Sequence, residues 1–231
     1  MTRFALRALP VAVLLAITSI AQADEPIPNN TVRVGEYWVF YHTYATDLSG
    51  PFVPPGLNLS VKNVQTPYLA YLRRLSTHFT AELAFGIPPL TKTYGKGPAM
   101  VGSVPYNGQQ ISSARWVAPS ALLEYVFFDD SHKLRPYLGA GLNYVTFVNR
   151  KSSPAGNAAA GGPTSLSLSN SLGPAVTAGV NYQMTRNWSV MASYSASRVV
   201  TDLEAHTGGV VRTSHISFGP QTFVVAAGFS F

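Results

Sequence analysis

The last nine residues, FVVAAGFSF, alternate strictly between two faces of an extended chain. One face carries Phe223, Val225, Ala227, Phe229 and Phe231, and the other carries small residues. A period of two is typical of a β-strand. Because an unpaired apolar strand edge promotes aggregation, we expect this terminal strand to pair within the chain.

The same alternation recurs along the chain and predicts eight strands, joined in turn by short turns and long loops. The strands fall at about 34–46, 58–74, 79–92, 112–128, 134–149, 170–184, 188–204 and 213–231. Short periplasmic turns and long extracellular loops are typical of outer-membrane barrels. An even number of strands puts both termini on the periplasmic side, so the terminal strand is predicted to close the barrel beside Tyr37.

A soluble β-sandwich is the alternative, because its strands also alternate. The outer faces of a sandwich should be rich in Lys and Glu, yet neither face is rich in them here, and only 11% of the residues are charged. Soluble domains usually contain about 25% charged residues. The pattern therefore favours an all-β fold, an eight-stranded antiparallel transmembrane β-barrel.

The amino-terminal segment has the three parts of a secretory signal peptide. Arg3 and Arg7 precede an apolar run, which ends in Ala-Gln-Ala before Asp24. We expect cleavage after Ala23, which divides the chain into a signal peptide (1–23) and an outer-membrane barrel (24–231). A membrane anchor is the alternative, but the apolar run is short for a bilayer span.

The sequence gives little support for catalysis or for metal binding. It has no cysteine, and its five histidines lack the spacing of metal ligands. A set of Ser197, Glu204 and His206 is conceivable, but abundant serine on an inward face is explained by packing. We expect no enzyme activity, no cofactor and no metal. The scattered basic residues argue against a nucleic-acid partner.

Several segments resemble the outer-membrane protein W (OmpW) family. RPYLGAGLNYVTF, SNSLGPAVTAGVNYQMTRNWSVMASY and SFGPQTFVVAAGFSF look like its later strands, and AELAFGIPP and VAPSALLEYVF look like its third and fourth. The sequence departs from the family pattern in YLRRLSTHF and in GPQTF. The resemblance implies residence in outer-membrane lipid and insertion by the barrel-assembly machinery, which reads the terminal strand with Phe229 and Phe231. It also implies passage of small hydrophobic solutes, because AlkL-type members are associated with alkane uptake.

The interior of an eight-stranded barrel is narrow enough for side chains to fill it. Apolar residues of inward parity predict a hydrophobic lumen lined by Trp38, Phe40, Trp116, Leu122, Met191 and Val224. Three interpretations stay open: a filled core, a conduit for an apolar ligand, and a structural or adhesive protein that acts through its extracellular loops. A lipid-modifying enzyme is a fourth, less favoured one. The resemblance favours the conduit.

Charged residues of inward parity cluster near the periplasmic turns. They are Glu36, Arg74, Glu82, Glu124 and Arg135. Because buried charges persist only when they are paired, we expect a salt-bridged floor that closes the periplasmic end. The alternative is a solvated position at the rim.

A closed floor would force an apolar solute to leave sideways through the wall. Proline lacks the N–H that a central strand must donate, so Pro88, Pro89 and Pro119 predict a lateral opening between the third and fourth strands, with Trp116 at its entrance. The alternative is that Pro88 and Pro89 merely end the membrane part of the third strand.

Overall fold

The computed structural model describes residues 27–101 and 103–231, so the predicted signal peptide lies outside the described residues. This part of the chain contains fifteen strands and one short helix. They are β1 (Asn30–Ala45), β2 (Asn58–Val61), β3 (Val64–Arg74), β4 (Phe79–Gly86), β5 (Leu90–Lys96), β6 (Met100–Val101), β7 (Val104–Pro105), β8 (Gln110–Val117), β9 (Ser120–Val126), β10 (Leu134–Ser152), α1 (Pro154–Ala160), β11 (Thr164–Leu168), β12 (Ser171–Gln183), β13 (Trp188–Ser197), β14 (Val199–Thr207) and β15 (Val210–Ser230). No helix among these residues is long and apolar enough to cross a membrane.

Eight strands pair into a closed antiparallel ring. The order is β1, β3, β4, β9, β10, β12, β13 and β15, and β15 returns to β1. This ring confirms the predicted eight-stranded barrel. Four of the predicted strands are each split in two, as β2 and β3, β4 and β5, β8 and β9, and β13 and β14.

The terminal strand closes the ring, as the alternating pattern predicts. The Phe231 backbone N–H donates to the Asn30 carbonyl at 2.9 Å, and β1 then pairs with β15 as far as Ala45. At Gly35 the two strands approach so closely that a Cβ atom would lie 2.1 Å from the Val225 carbonyl oxygen. It would also lie 2.6 Å from the Cβ of the buried Ala226, so Gly35 points inward.

The two faces of the ring have the distribution of a membrane barrel. The outer face exposes large apolar side chains, among them Leu69, Leu83, Leu138, Val176 and Val225. Many buried residues are polar instead, including Thr177, Asn181 and Ser193. Apolar residues outside and polar residues inside reverse the arrangement of a soluble domain.

Above the ring, the same sheet continues into two extensions that surround a vestibule. One extension contains β2, β5 and β8 and continues into β10, and the other contains β11, β14 and β15. Between them, α1 is capped by the Ser153 side chain and ends at Gly161, whose φ is +85°. Of these elements, α1 and β11 lie in a segment that the sequence pattern predicted as a loop, whereas β2, β8 and most of β14 belong to predicted strands.

Candidate functional site

An inner chamber of about 130 Å³ lies in the middle of the barrel. Its apolar lining includes Val39, Trp116, Leu122, Val145 and Val224. All five are buried, although they belong to five different strands, β1, β8, β9, β10 and β15. Because all of them line the same chamber, they make an apolar segment within a largely polar interior.

Four aromatic rings form a partition above the inner chamber. The Trp116 ring centroid lies 4.8 Å from that of Tyr41, 4.8 Å from that of Phe147 and 4.9 Å from that of Phe218. The Trp116–Phe147 and Trp116–Phe218 contacts are edge-to-face, which is a favoured geometry for aromatic pairs. Trp116 therefore occupies the centre of a packed aromatic layer.

The vestibule beyond the partition encloses a second apolar cavity of about 130 Å³. Its lining includes Leu59, Leu168, Leu203, Ile216 and Phe218, and Trp116 lines both cavities. Tyr106 also lines the vestibule, where burial raises the pKa of its hydroxyl to about 12. Two apolar compartments are thus stacked along the barrel, with Trp116 between them.

Below the inner chamber, a buried ion-pair cluster crosses the lumen. Arg33 on β1 donates to Glu82 on β4 at 2.9 Å and lies 3.7 Å from Glu124 on β9. The Tyr68 hydroxyl donates to the other Glu82 oxygen at 2.9 Å, and the Arg33 guanidinium lies 5.7 Å from the centre of the Tyr137 ring. One cation and two carboxylates therefore share this layer.

A second charged layer lies nearer the end of the barrel that holds Pro28 and Ser230. Asp130, in the turn before β10, accepts from Arg74 and from Arg135, both at 2.6 Å. The two layers together contain three arginines and three carboxylates, so their formal charges balance. In the same turn, hydrogen bonds from Ser131 and His132 lower the pKa of the exposed Asp129 to about 2.

A polar cavity of about 60 Å³ lies between the charged layers. Its lining includes Arg33, Glu124, Arg135 and Asn181. Each of these residues has a buried polar atom with no hydrogen-bond partner among the described residues. An apolar occupant would leave those atoms unsatisfied, at a cost of about 1–3 kcal/mol for each group.

The wall beside the inner chamber has an interruption in its hydrogen-bond ladder. The ladder between β4 and β9 ends at the pair Ala84 and Ser120. Further up the wall, the next hydrogen bond joins the Trp116 N–H to the Pro89 carbonyl at 3.4 Å. We call this interruption, between residues 85–88 and 117–119, the wall gap. The inner chamber reaches it, because Phe85, Gly86 and Ala118 belong to the chamber lining.

The segment 117–119 is open only on the side that faces residues 85–88. On its other side it remains hydrogen-bonded to the neighbouring strand β10. The Tyr144 N–H donates to the Pro119 carbonyl at 3.0 Å. The Asn143 amide donates to Ser120 Oγ at 2.7 Å and to the Ala118 and Pro119 carbonyls at 3.4 Å. On the upper edge of the gap, Arg115 donates to the Pro88 carbonyl at 2.8 Å.

Most of the predicted lumen residues face the interior. Trp116, Leu122 and Val224 line the inner chamber, and Met191 packs with Val224 in the buried cluster beside it. Trp38 and Phe40 do not face the interior, and the prediction is wrong for both. Trp38 packs at 5.7 Å from the exposed Phe223 ring, and Phe40 is 40% exposed on the outer face.

The prediction is also wrong for Glu36, which has the outward parity of Trp38 and Phe40. Its partners in the neighbouring strands are the exposed Val225 and Pro67. The segment GEYWVFYHTY is apolar on both faces, so composition could not decide its orientation. Gly35 fixes the orientation of the strand. The face that carries Gly35 lies so close to Ala226 that a side chain at this position would not fit.

The other predicted floor residues lie in the two charged layers, but they do not pair with one another as a salt-bridged floor of these residues would require. Glu82 and Glu124 meet Arg33, whereas Arg74 and Arg135 meet Asp130. The sequence interpretation missed Arg33 and Asp130. The sequence could have identified Arg33 by its position. Arg33 and Glu36 are three residues apart in one strand, so they lie on opposite faces and only one of them can face inward.

The conceivable catalytic set does not assemble. Glu204 and His206 contact each other at 3.2 Å on β14, near the outer end of the strand. Ser197 lines the inner chamber, nine residues earlier in the chain. At about 3.3 Å per residue, an extended chain of that length separates the serine from the histidine by far more than a hydrogen bond.

A closed ring with an apolar outer face defines the chain as an outer-membrane β-barrel of the narrow, eight-stranded class. The chain belongs to the OmpW family, whose match covers residues 32–231. Outer membrane protein W of Escherichia coli K12 is 33% identical over 121 residues, which are 52% of this chain and 56% of that protein. That of Vibrio cholerae is 28% identical over 153 residues, 66% of this chain and 69% of that protein.

Solved structures show the same fold. Outer membrane protein OprG of Pseudomonas aeruginosa superposes with a TM-score of 0.79 at 17% identity, covering 89% of this chain and 97% of that one. Outer membrane protein AlkL in lipid bilayers gives 0.65 at 18% identity, covering 94% and 97%. E. coli outer membrane protein W gives 0.55 at 25% identity, covering 89% and 99%. The matched relatives are outer-membrane proteins, and the outer membrane is the location of this chain.

Proposed function

We propose that this barrel passes small hydrophobic molecules across the outer membrane. A solute enters the vestibule, crosses the aromatic partition at Trp116, occupies the inner chamber and leaves through the wall gap into the membrane. The observation that carries the proposal is the stacking of two apolar cavities that share Trp116 above a charged floor. The implied kinship with AlkL-type proteins supports the same solute class.

The charged floor supports a lateral exit over a periplasmic one. An apolar solute that moved down would have to displace the buried Arg33–Glu82 ion pair and then enter the polar cavity. Separating a buried ion pair leaves charges uncompensated, at a cost of several kcal/mol. The wall gap beside Pro88, Pro89 and Pro119 has no such barrier, because its ladder hydrogen bonds are already missing.

The chamber volume sets the size of the solute. An apolar protein cavity of about 150 Å³ holds one benzene molecule. Each compartment, at about 130 Å³, is therefore suited to a compact ring or a short chain. Longer solutes would need to extend through the partition.

A reversible crosslink across the wall gap tests the proposal. The chain has no cysteine, so Ile87→Cys with Val117→Cys introduces a single disulfide across the outer face of the gap. The control is Leu83→Cys with Ala121→Cys, a directly paired position in the intact ladder just below. Toluene uptake into proteoliposomes is measured in the oxidised and reduced states.

We expect the oxidised gap variant to lose most of its toluene uptake and to regain it on reduction, while the control is unaffected. Full uptake with the gap disulfide closed would remove the lateral route. Wild-type uptake no faster than that of protein-free vesicles would remove transport altogether and favour a structural role.

A further inference from the structure

The inner chamber has a row of hydroxyl groups on one wall. Thr177 on β12 pairs directly with Ser195 on β13, which pairs directly with Thr222 on β15. All three residues line the chamber. Their hydroxyls therefore lie side by side at one level, across three neighbouring strands.

These hydroxyls keep hydrogen-bonding capacity for a bound molecule. Ser195 donates to Thr177 at 2.9 Å, so the Thr177 hydrogen and the Ser195 lone pairs are not consumed by that bond. A hydroxyl offers one donor and two acceptor positions. Ser193, one row below on β13, adds a further hydroxyl to the chamber lining.

The opposite wall contains the wall gap, and apolar side chains surround the gap, although Tyr68, Glu82 and Ser120 also line the chamber on that side. In the ring order, β12, β13 and β15 occupy the sixth to eighth positions, and β3, β4 and β9 occupy the second to fourth. The chamber lining on that side includes Phe85, Pro89, Trp116 and Leu122. A molecule in the chamber thus has the hydroxyl row on one side and, facing it, the apolar side chains that surround the exit.

We propose that the inner chamber selects small apolar molecules that bear one hydrogen-bonding group, such as an alcohol or a phenol. The polar group binds the row formed by Thr177, Ser195 and Thr222, and the apolar part points at the wall gap. This inference rests on the proposed function, because it names the solute class of the same chamber. An unsubstituted hydrocarbon fits the space but cannot use the donor and acceptor positions of the row that the Ser195–Thr177 bond leaves open.

Benzyl alcohol and toluene are suitable probes, because they share one ring and differ by a single hydroxyl. Binding is measured by NMR in nanodiscs, from the indole N–H signal of Trp116, which lines the chamber. The test variant combines Thr177→Val, Ser195→Ala and Thr222→Val. The control is Ser189→Ala, a buried serine of the same strand that lines the polar cavity between the charged layers instead. Heat-modifiable migration on gels verifies that every variant is folded.

A net neutral hydrogen bond corresponds to about a two- to ten-fold difference in affinity. We expect the wild type to bind benzyl alcohol at least about five-fold more tightly than toluene, after correction for partition into lipid. The triple variant should lose this preference through weaker benzyl alcohol binding, with toluene binding unchanged, and Ser189→Ala should keep it.

Equal affinity of the wild type for the two probes, binding of neither probe, or an equal loss of both in the triple variant would overturn the inference. Uptake into proteoliposomes is scored separately with the same probes. Toluene uptake without a benzyl alcohol preference would leave the proposed function standing and sink the solute class. Absence of uptake for both probes would sink the proposed function itself.

Discussion

The buried cluster of Arg33, Glu82 and Glu124 predicts a specific form of non-additivity. Glu82→Gln and Glu124→Gln each remove one carboxylate and keep the size of the side chain. Glu82→Gln leaves Arg33 with the Glu124 carboxylate at 3.7 Å, and Glu124→Gln leaves it with the Glu82 carboxylate at 2.9 Å. Only the double variant leaves Arg33, which is 5% exposed, without a counter-charge.

The distances give the scale of the effect. At an effective dielectric constant of about 20, Arg33 gains about 6 kcal/mol of Coulomb energy from Glu82 at 2.9 Å and about 4.5 kcal/mol from Glu124 at 3.7 Å, before desolvation. Since desolvation offsets most of this gain, we expect each single variant to cost about 1 kcal/mol. The double variant should cost about 3–5 kcal/mol, which is the penalty for an uncompensated buried charge.

The free energy of unfolding is measured by urea titration in phospholipid vesicles, with tryptophan fluorescence as the signal. A third substitution, Arg33→Met in the double-variant background, removes the stranded charge and should recover most of the lost stability. A double variant that costs no more than the sum of the two singles would refute the reasoning, because the two carboxylates would then not share one cation.

Three further outcomes are expected. Deleting Phe231 removes its two backbone hydrogen bonds to Asn30 and should lower the yield of folded, heat-modifiable protein in the outer membrane; an unchanged yield would contradict the closing role of that residue. Gly35→Ala should prevent or strongly destabilise closure of the ring, because its Cβ would lie 2.1 Å from the Val225 carbonyl oxygen. The control is Gly219→Ala, whose Cβ has its nearest neighbour at 3.9 Å. It should change the free energy of unfolding by less than about 0.5 kcal/mol. Asn143→Leu should cost about 2 kcal/mol and speed toluene uptake by releasing the fourth strand beside the wall gap; an unchanged unfolding midpoint in urea would show that the amide bonds do not hold the break.

The sequence predicts the ring well because barrel strands alternate with a fixed period, and this signal is local. Residues such as Val176, Thr177 and Ala178 assign their own faces without reference to the rest of the chain. The parity of β1 could not be assigned in this way, because Tyr37 and Trp38 suit either face. It depends on a contact between Gly35 and Ala226, which are far apart in sequence.

The site is less predictable than the fold for the same reason. The inward positions of Glu82 and Glu124 follow from alternation, but the partner that neutralises them lies on β1 and depends on the correct parity of that strand. Asp130 lies in a turn, where no periodicity applies, so nothing local shows that it points up at Arg74 and Arg135. The packing of Trp116 against Tyr41 and Phe218 joins three strands and has no sequence signature.

The pairing of β1 with β15 has a consequence for the order of folding. The Thr31 and Ser230 hydroxyls, which meet at 2.9 Å, are 199 residues apart, so this contact closes nearly the whole chain into one loop. Closing a loop of that length costs about 5 kcal/mol of chain entropy beyond a constant. The neighbouring hairpins close far shorter loops and form earlier, so the ring shuts in a late, slow step that requires both ends of the chain at once. A chain shortened at either end therefore loses the enclosure of both cavities, and not merely one strand.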